Sequence, residues 1–398
     1  MKILHTVEFY RPSVGGIQEV VRQLSEHLVK LGHDVTAATT KLSDRKEKMI
    51  NGVKIVEFDI SGNMVRGMKG EIRHYRDYLL NTDFDIITNF AAQQWATDIM
   101  LPLIESVKAK KVFVPTGFSG LYRPEYKEYF ESMKSWLHRY DMTVFLSNDY
   151  RDINFARNCG VKKITLIPNG AGEDEFLSDT NLDIRKLLDI PQEHFLILHV
   201  GSHTGIKGHS EAIKMFSKAH IRNATFLIIA NDFGGGCVTA CKWRTRFFYL
   251  RPKHKFYDKR LIVTALPRKE TVAAYKEADL FLFPSNIECS PLVLFESMAS
   301  KTPFLTTDVG NAAEIVEWSK AGMILPTVKD SEGYSMAHIA GSVEMLQELH
   351  RDSQRRNKMR ESGFKEWQER FTWGKIAMEY ENMYQSLVRV GDNSVYSA

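Results

Sequence analysis

The stretch Asp279-Leu-Phe-Leu-Phe283-Pro284-Ser-Asn-Ile-Glu288-Cys-Ser290-Pro291-Leu292-Val-Leu-Phe-Glu296-Ser-Met-Ala decides the fold. Its first five residues are almost wholly apolar, the pattern of a strand buried on both faces of a parallel sheet, and Pro284 ends it. Leu292, Phe295, Glu296 and Ala299 then follow helical spacing, with Ser290-Pro291 expected to cap and open the helix. A helix N-terminus so placed turns unpaired backbone N–H groups toward the loop and attracts anions, phosphate above all. Glu288 falls in the loop and Glu296 about one turn into the helix. Carboxylates are poor phosphate ligands, so the two are expected to accept hydrogen bonds from hydroxyls on either side of a phosphate group. A ligand with hydroxyls flanking phosphates is a nucleotide sugar.

Outward from this stretch the chain reads as two runs of strand-then-helix units. In the first, Lys2 to Val7 is a strand, and Ile17, Val20, Val21, Leu24, Leu28 and Leu31 mark one face of a helix that Gly32 ends. Apolar runs at Val53 to Phe58, Asp85 to Asn89, Lys111 to Pro115, Thr143 to Ser147 and Ile164 to Pro168 continue a mostly parallel sheet. Phe195 to Val200 restarts the pattern, followed by a glycine loop, a helix near His209 to His220 and a strand at Thr225 to Ala230. The fold class expected is α/β, two doubly wound Rossmann-like domains facing across a cleft, with ligands at the strand carboxyl ends. The boundary is expected between 170 and 180, giving an N-terminal domain over 1–172 and a C-terminal domain over 173–373. The 398 residues suffice for two cores, and 43% hydrophobic with 26% charged residues is ordinary for a globular protein. No apolar run spans a bilayer and no signal-peptide core opens the chain, which predicts a cytoplasmic protein. Four cysteines fit a reducing compartment. The pair Cys237-Val-Thr-Ala-Cys241 could hold a metal, but no second Cys/His pair with finger-like spacing accompanies it, and no metal site is expected.

Glu288 to Ala299, followed by Thr302-Pro-Phe-Leu-Thr-Thr-Asp-Val-Gly310-Asn-Ala-Ala-Glu314, resembles the donor-site signature of retaining GT-B glycosyltransferases of the large family-four group (glycosyl transferases group 1). Gly15-Gly16 in the first loop, Ile167-Pro-Asn-Gly170 closing the first half, Val200-Gly-Ser-His-Thr-Gly-Ile-Lys207-Gly208 opening the second, and Phe371-Thr-Trp373 with Tyr380 near the end agree in order. The resemblance covers nearly the whole chain. It implies that Glu288 touches the donor sugar and Glu296 the ribose hydroxyls, with Ser290, Pro291 and Leu292 supplying backbone between them. Lys207 would neutralise the diphosphate and the charge growing on the leaving nucleotide. Gly15 and Gly16 would let the backbone of the first loop approach the phosphates, although taken by itself a glycine pair more commonly marks a plain turn. Catalysis is thus assigned to Glu288 and Lys207. The resemblance implies front-face attack by an acceptor hydroxyl, whose proton passes to the departing phosphate; no cofactor and no obligatory metal are expected. A C-terminal helix, read from the apolar spacing over Trp367 to Val388, would cross back to the first domain over about 374–390, and 393–398 reads as a loose tail. Glu314 is expected to cap or brace its domain.

Two positions depart from the family pattern. The arginine that usually shares the phosphate work is replaced by Ser202, next to His203, which removes one bidentate contact. Where relatives often carry a His-Gly dipeptide, this chain has Thr116-Gly117.

One segment stands outside the pattern. Between Lys242 and Arg260 lie eight Lys/Arg and one Asp, a formal +7 in a chain whose total is +4, interleaved with Trp243, Phe247, Phe248, Tyr249, Phe256 and Tyr257. It is read as a basic, aromatic insertion over 231–260. Such a mixture suits an anionic membrane surface, a polyanionic glycan or a nucleic acid, or else a solvated loop with its rings tucked in. Nucleic acid is the weakest of these, because the basicity is local. The reading is a retaining glycosyltransferase, cytoplasmic and peripheral at the inner face of the membrane, moving a sugar from a nucleotide sugar to a glycan, lipid-linked or small-molecule acceptor, with surface polysaccharide or glycoconjugate as the destination. A nucleotide-sugar epimerase or hydrolase on the same fold, and a donor-binding scaffold without catalysis, are the alternatives.

Overall fold

The computed structural model describes residues 1–179, 181–231 and 236–393. The chain divides into two compact units, Met1–Asn169 joined by the closing segment from Trp373, and Gly170–Thr372. The first boundary thus falls at 169/170, three residues ahead of the one read from the sequence.

Unit 1 is built on an eight-stranded sheet in the order Ile164–Leu166, Met142–Phe145, Lys110–Val114, Ile86–Phe90, Lys2–Thr6, Asp34–Thr40, Val53–Phe58, Met49–Ile50. All neighbours are parallel except the edge pair Met49–Ile50 with Val53–Phe58. The chain builds outward from Lys2–Thr6 in one direction and then returns to add Ile86–Phe90 on its other side, so strand order reverses beside the first strand. Helix Gly16–Lys30 buries Val20, Val21, Leu24 and Leu28. The chain turns away at Gly32, whose φ of +89° is in the left-handed region that a Cβ disfavours.

Unit 2 holds a six-stranded, all-parallel sheet in the order Lys259–Thr264, Ala224–Ile229, Phe195–Val200, Leu280–Phe283, Phe304–Thr306, Gly322–Ile324. Leu280–Phe283 is wholly buried, as an apolar run in a sheet covered on both faces must be. Here too the order reverses beside the first strand, between Phe195–Val200 and Leu280–Phe283.

Two sequence readings are corrected. The span Trp367 to Val388 is not one helix: Ser353–Arg370 ends and Trp373–Asn393 begins across Phe371-Thr372. At the break Phe371 O accepts a hydrogen bond from Ala171 N at 3.1 Å, and the Phe371 ring packs 5.2 Å from Phe295 and 5.6 Å from Trp318. The first helix therefore stays with unit 2 and the second belongs to unit 1; both are helical and both carry apolar residues, so spacing alone fused them. The basic segment, in turn, is no insertion. Helices Gly236–Tyr249 and Pro252–Phe256 are the crossover between Ala224–Ile229 and Lys259–Thr264. Phe248 is buried against His254 with ring centroids 3.9 Å apart, while Trp243, Phe247, Tyr249 and Phe256 are exposed. Lys259 turns inward, Nζ donating to Ala219 O at 2.9 Å and to Phe216 O. Residues 232–235, read as the start of that segment, and the tail 394–398 lie outside the described residues.

The closing helix is fastened to unit 1 by a buried polar network. Tyr384 OH bonds Thr88 Oγ1 at 2.7 Å and lies 3.4 Å from His5 Nε2, and His5 Nδ1 meets Ser25 Oγ at 2.7 Å. On the same helix Glu381 pairs with His33 at 2.9 Å. Removing one partner of a buried bond costs about 1–3 kcal/mol. We expect Tyr384→Phe to speed amide exchange across Trp373–Asn393 roughly tenfold, as a loss of about 1.4 kcal/mol requires; exchange at the wild-type rate would show that the network adds nothing to the helix's stability.

Candidate active site

In unit 2 the loops that leave Phe195–Val200 and Leu280–Phe283 are brought together at the point where strand order reverses. Gly208 has φ +72°, and a Cβ there would lie 1.9 Å from the Pro284 carbonyl oxygen, so the two loops touch through backbone that only glycine permits. Ile206 O accepts from Asn286 N at 2.8 Å and from Ser285 Oγ at 3.1 Å. The junction sets Lys207 beside Glu288: Nζ is 2.7 Å from Oε1, and the same oxygen accepts from Ser285 Oγ at 2.8 Å. Both side chains are largely covered, so the pair interacts through a medium less polar than water.

The second carboxylate has its own cation. Glu296, 5% exposed on helix Leu292–Ala299, meets Arg268 at 2.6 Å, and Arg268 also reaches Glu175 at 2.6 Å. Burial, and then the Glu296 charge, push the Tyr275 phenol well above its usual range. Sequence reasoning missed Arg268. Its signal was available, since it opens the helix that follows strand Lys259–Thr264 and so sits at a strand carboxyl end.

Ser290 and Pro291 act otherwise than expected. Pro291 is the N-cap residue, without a side-chain cap bond, and helical residues start at Leu292. Ser290 does not cap; its Oγ accepts from Asn311 Nδ2 at 3.1 Å. Gly310 backs this loop at φ +54°, where a Cβ would lie 2.1 Å from Cys289 O, and Asn311 N donates to that carbonyl at 2.9 Å. Ser202 is half-buried in the glycine loop, its carbonyl accepting from Thr204 N at 2.8 Å. Glu314 lies in the first turn of helix Ala312–Ser319.

At the glycine loop three imidazoles cluster, His209 lying 4.7 Å from both His199, which is tilted to it, and His203, which stacks on it. His199 Nδ1 donates to Leu282 O at 2.8 Å and His209 Nε2 to Gly201 O at 3.2 Å, which leaves the other nitrogen of each as an acceptor. Burial first, and then neighbouring imidazoles and Lys207, lower both pKa values, His209 to about 4, so both rings are neutral at neutral pH. Among the described residues one group has metal-ligand spacing, His203 with Cys237 and Cys241.

In unit 1, Gly15 is the extended N-cap of helix Gly16–Lys30, and a Cβ on Gly16 would meet nothing within 4 Å. Gly16 is thus open, whereas a Cβ on Gly15 would lie 2.5 Å from Gln18 Oε1, whose side chain covers that position. Ala91, Gln93, Thr116 and Phe118 all have positive φ, 61°, 64°, 57° and 48°. They follow the adjacent strands Ile86–Phe90 and Lys110–Val114, and each such backbone costs of order 1–3 kcal/mol. Gly117 N, beside the departing Thr116, donates to Asp152 Oδ2 at 2.8 Å. Burial raises the Asp152 carboxyl to about 6, against the bonds from Ile153 and Gly117 that favour its ionised form.

Comparison with known proteins gives the family and the fold. The family model "Glycosyltransferase Family 4" matches residues 14–174 and "Glycosyl transferases group 1" matches 181–366, together most of the chain. An uncharacterised glycosyltransferase of Methanocaldococcus jannaschii is 24% identical, covering 97% of this chain and 98% of its own. N-acetyl-alpha-D-glucosaminyl L-malate synthase of Bacillus anthracis is 24% identical over 58% of this chain and 56% of its own. Among solved structures, sucrose-phosphate synthase of Thermosynechococcus elongatus superposes with a TM-score of 0.76 at 18% identity, covering 98% of this chain and 99% of that one. Anabaena HepE in complex with UDP gives 0.72 at 14% identity, covering 97% and 100%.

The buried Asp152 makes stability depend on pH. Its folded pKa is raised from 3.8 to about 6, so its contribution is fully present below about pH 4 and is lost as pH rises through 6. An amide keeps the acceptor for Gly117 and cannot ionise. The Tm of Asp152→Asn relative to wild type should therefore climb by several degrees between pH 4.5 and 7.5; a difference independent of pH would show that Asp152 titrates normally.

Proposed function

The chain is a glycosyltransferase of group 1 with the GT-B fold, and we propose that it is a retaining enzyme moving a sugar from a nucleotide sugar to a hydroxyl of a glycan, lipid-linked or small-molecule acceptor. One observation carries the reading: two carboxylates, each held by its own cation, bracket a helix N-terminus where strand order reverses in unit 2. Lys207 exchanges Glu288 for the donor diphosphate, which frees Glu288 to accept from sugar hydroxyls. Glu296, oriented by Arg268, accepts from the ribose. The anomeric C–O bond breaks with its electron pair on the diphosphate, whose negative charge Lys207 and the N–H groups at Leu292 stabilise. The acceptor oxygen bonds to the same face of the anomeric carbon and its proton passes to the departing phosphate. No protein nucleophile is needed. With Ser202 in place of the family's arginine, Lys207 is the cation of this loop. UDP and UDP-glucose complexes of Anabaena HepE, a protein of like fold, support a nucleotide-sugar donor. Surface polysaccharide or glycoconjugate is the proposed destination.

Part of the same proposal is that the crossover helices touch an anionic membrane surface, the cytoplasmic leaflet. No helix among the described residues is long and apolar enough to cross a membrane. Lys259 is buried and takes no part; Trp243, Phe247, Tyr249, Leu250 and Phe256 are exposed among Lys242, Arg244, Arg246, Arg251, Lys253 and Lys255. Each cation near such a surface contributes about 1 kcal/mol, falling with salt.

Calorimetry with UDP-, GDP- and ADP-sugars on wild type and Glu296→Ala tests the donor site. One nucleotide class should bind wild type, and the variant should bind it about 10- to 100-fold more weakly, the worth of hydrogen bonds to a charged group. Folded wild type that binds none of them would overturn the reading. For the surface, co-sedimentation with vesicles containing phosphatidylserine should fall several-fold in a Trp243→Ala, Phe247→Ala double variant; sedimentation equal to wild type would remove the membrane from the proposal.

A further inference from the structure

We propose that His203, Cys237 and Cys241 form a transition-metal site of zinc type that ties the glycine loop of unit 2 to the first crossover helix. Cys237 and Cys241 stand four residues apart on helix Gly236–Tyr249 and so project from one face, and His203 reaches them from the loop after strand Phe195–Val200. The ligand atoms of the three residues all lie within 4.8 Å of one another, and His203 Nδ1 is 3.4 Å from Cys237 Sγ. Donors around a tetrahedral zinc are spaced about 3.3–3.8 Å, given bonds of about 2.3 Å to sulfur and 2.0–2.1 Å to nitrogen. Closing the site therefore takes side-chain adjustment of about 1–1.5 Å at most.

Two thiolates and an imidazole are borderline-soft donors that suit zinc and disfavour magnesium or calcium. His209 offers a further donor. Its Nδ1 is 3.9 Å from Cys237 Sγ, and because Nε2–H is committed to Gly201 O, Nδ1 carries the lone pair. A backbone carbonyl fixing the tautomer of a neighbouring ring is the support that metal-binding histidines commonly have. Cys241 is buried and Cys237 and His203 are half-buried, so the site is sheltered yet open to an entering ion. Binding replaces both thiol protons by the metal, and the two protons leave to solvent. The bridge would anchor the loop that carries Ser202 and Lys207, independently of what that loop binds.

The test is metal content and cobalt spectroscopy on the full chain, purified under reducing conditions without chelator. Wild type and Cys159→Ser, whose altered cysteine lies in unit 1, should carry about one zinc per chain, as a closed structural site does. Cys237→Ser and Cys241→Ser should lose it. Metal-free wild type given Co²⁺ should show thiolate-to-cobalt charge transfer and tetrahedral d–d bands, absent from both variants, and should exchange amides in 201–208 at least several-fold more slowly than without metal. His209→Ala should weaken cobalt binding about 10- to 100-fold, as the loss of a ligand or supporting group does. Wild type that holds no stoichiometric metal and gives no thiolate–cobalt band, or a band that survives in Cys237→Ser and Cys241→Ser, overturns the proposal and leaves the cluster as a thiol–imidazole hydrogen bond.

Discussion

The contact between Gly208 and the Pro284 carbonyl is the constraint on which the candidate site depends. A parallel sheet delivers its loops to one edge, but it does not by itself press two of them together. Here the backbone of one loop lies where any side chain on the other would collide, and the left-handed φ of Gly208 turns the chain into helix His209–Lys218. Hydrogen bonds from Asn286 N and Ser285 Oγ to Ile206 O then lock the register. Lys207 and Glu288, far apart in sequence, meet at 2.7 Å as a result.

The electrostatics follow from that junction. Two carboxylates are largely withdrawn from water, each beside a partly exposed cation, which avoids the several-kcal/mol penalty of an isolated buried charge. Lys207–Glu288 joins two loops, and both of its side chains are partly covered. Arg268–Glu296 is more deeply held, with the carboxylate buried on a helix and the guanidinium shared with Glu175. Burial keeps the His199 and His209 imidazoles uncharged, so they support the glycine loop as polar groups without adding positive charge beside Lys207.

Unit 1 stores its cost in the backbone instead. Four non-glycine residues in left-handed conformations follow two adjacent strands, and Asp152 braces Gly117 from beneath at the expense of its own ionisation. Such strain persists only where surroundings over-determine it. The network of Tyr384, Thr88 and His5 does for the closing helix what the Gly208 contact does for the loops: it fixes an element whose apolar face alone would leave its position loose.

Strand Leu280–Phe283, helix Leu292–Ala299 and the repeated strand–helix order were legible in the residues, because an apolar run and a helical period are local properties of the chain. The fold class and the placement of Glu288 and Glu296 around one turn follow from that locality, and the order of motifs carried the family resemblance. Partners were not legible. That Glu296 is held by Arg268, that Ser290 accepts from Asn311 instead of capping, that Lys259 points inward, and that His203 stands over Cys237 and Cys241 all depend on which strands are neighbours. The break at Phe371-Thr372 was hidden because both flanking segments satisfy the same helical pattern, and only the packing of Phe371 on Phe295 and Trp318 separates them. The sequence alone determined the strand–helix order and the turn that carries Glu288 and Glu296; the tertiary structure decided where some helices end and which loops meet, because that choice rests on strand order and on close contacts between residues remote in the chain.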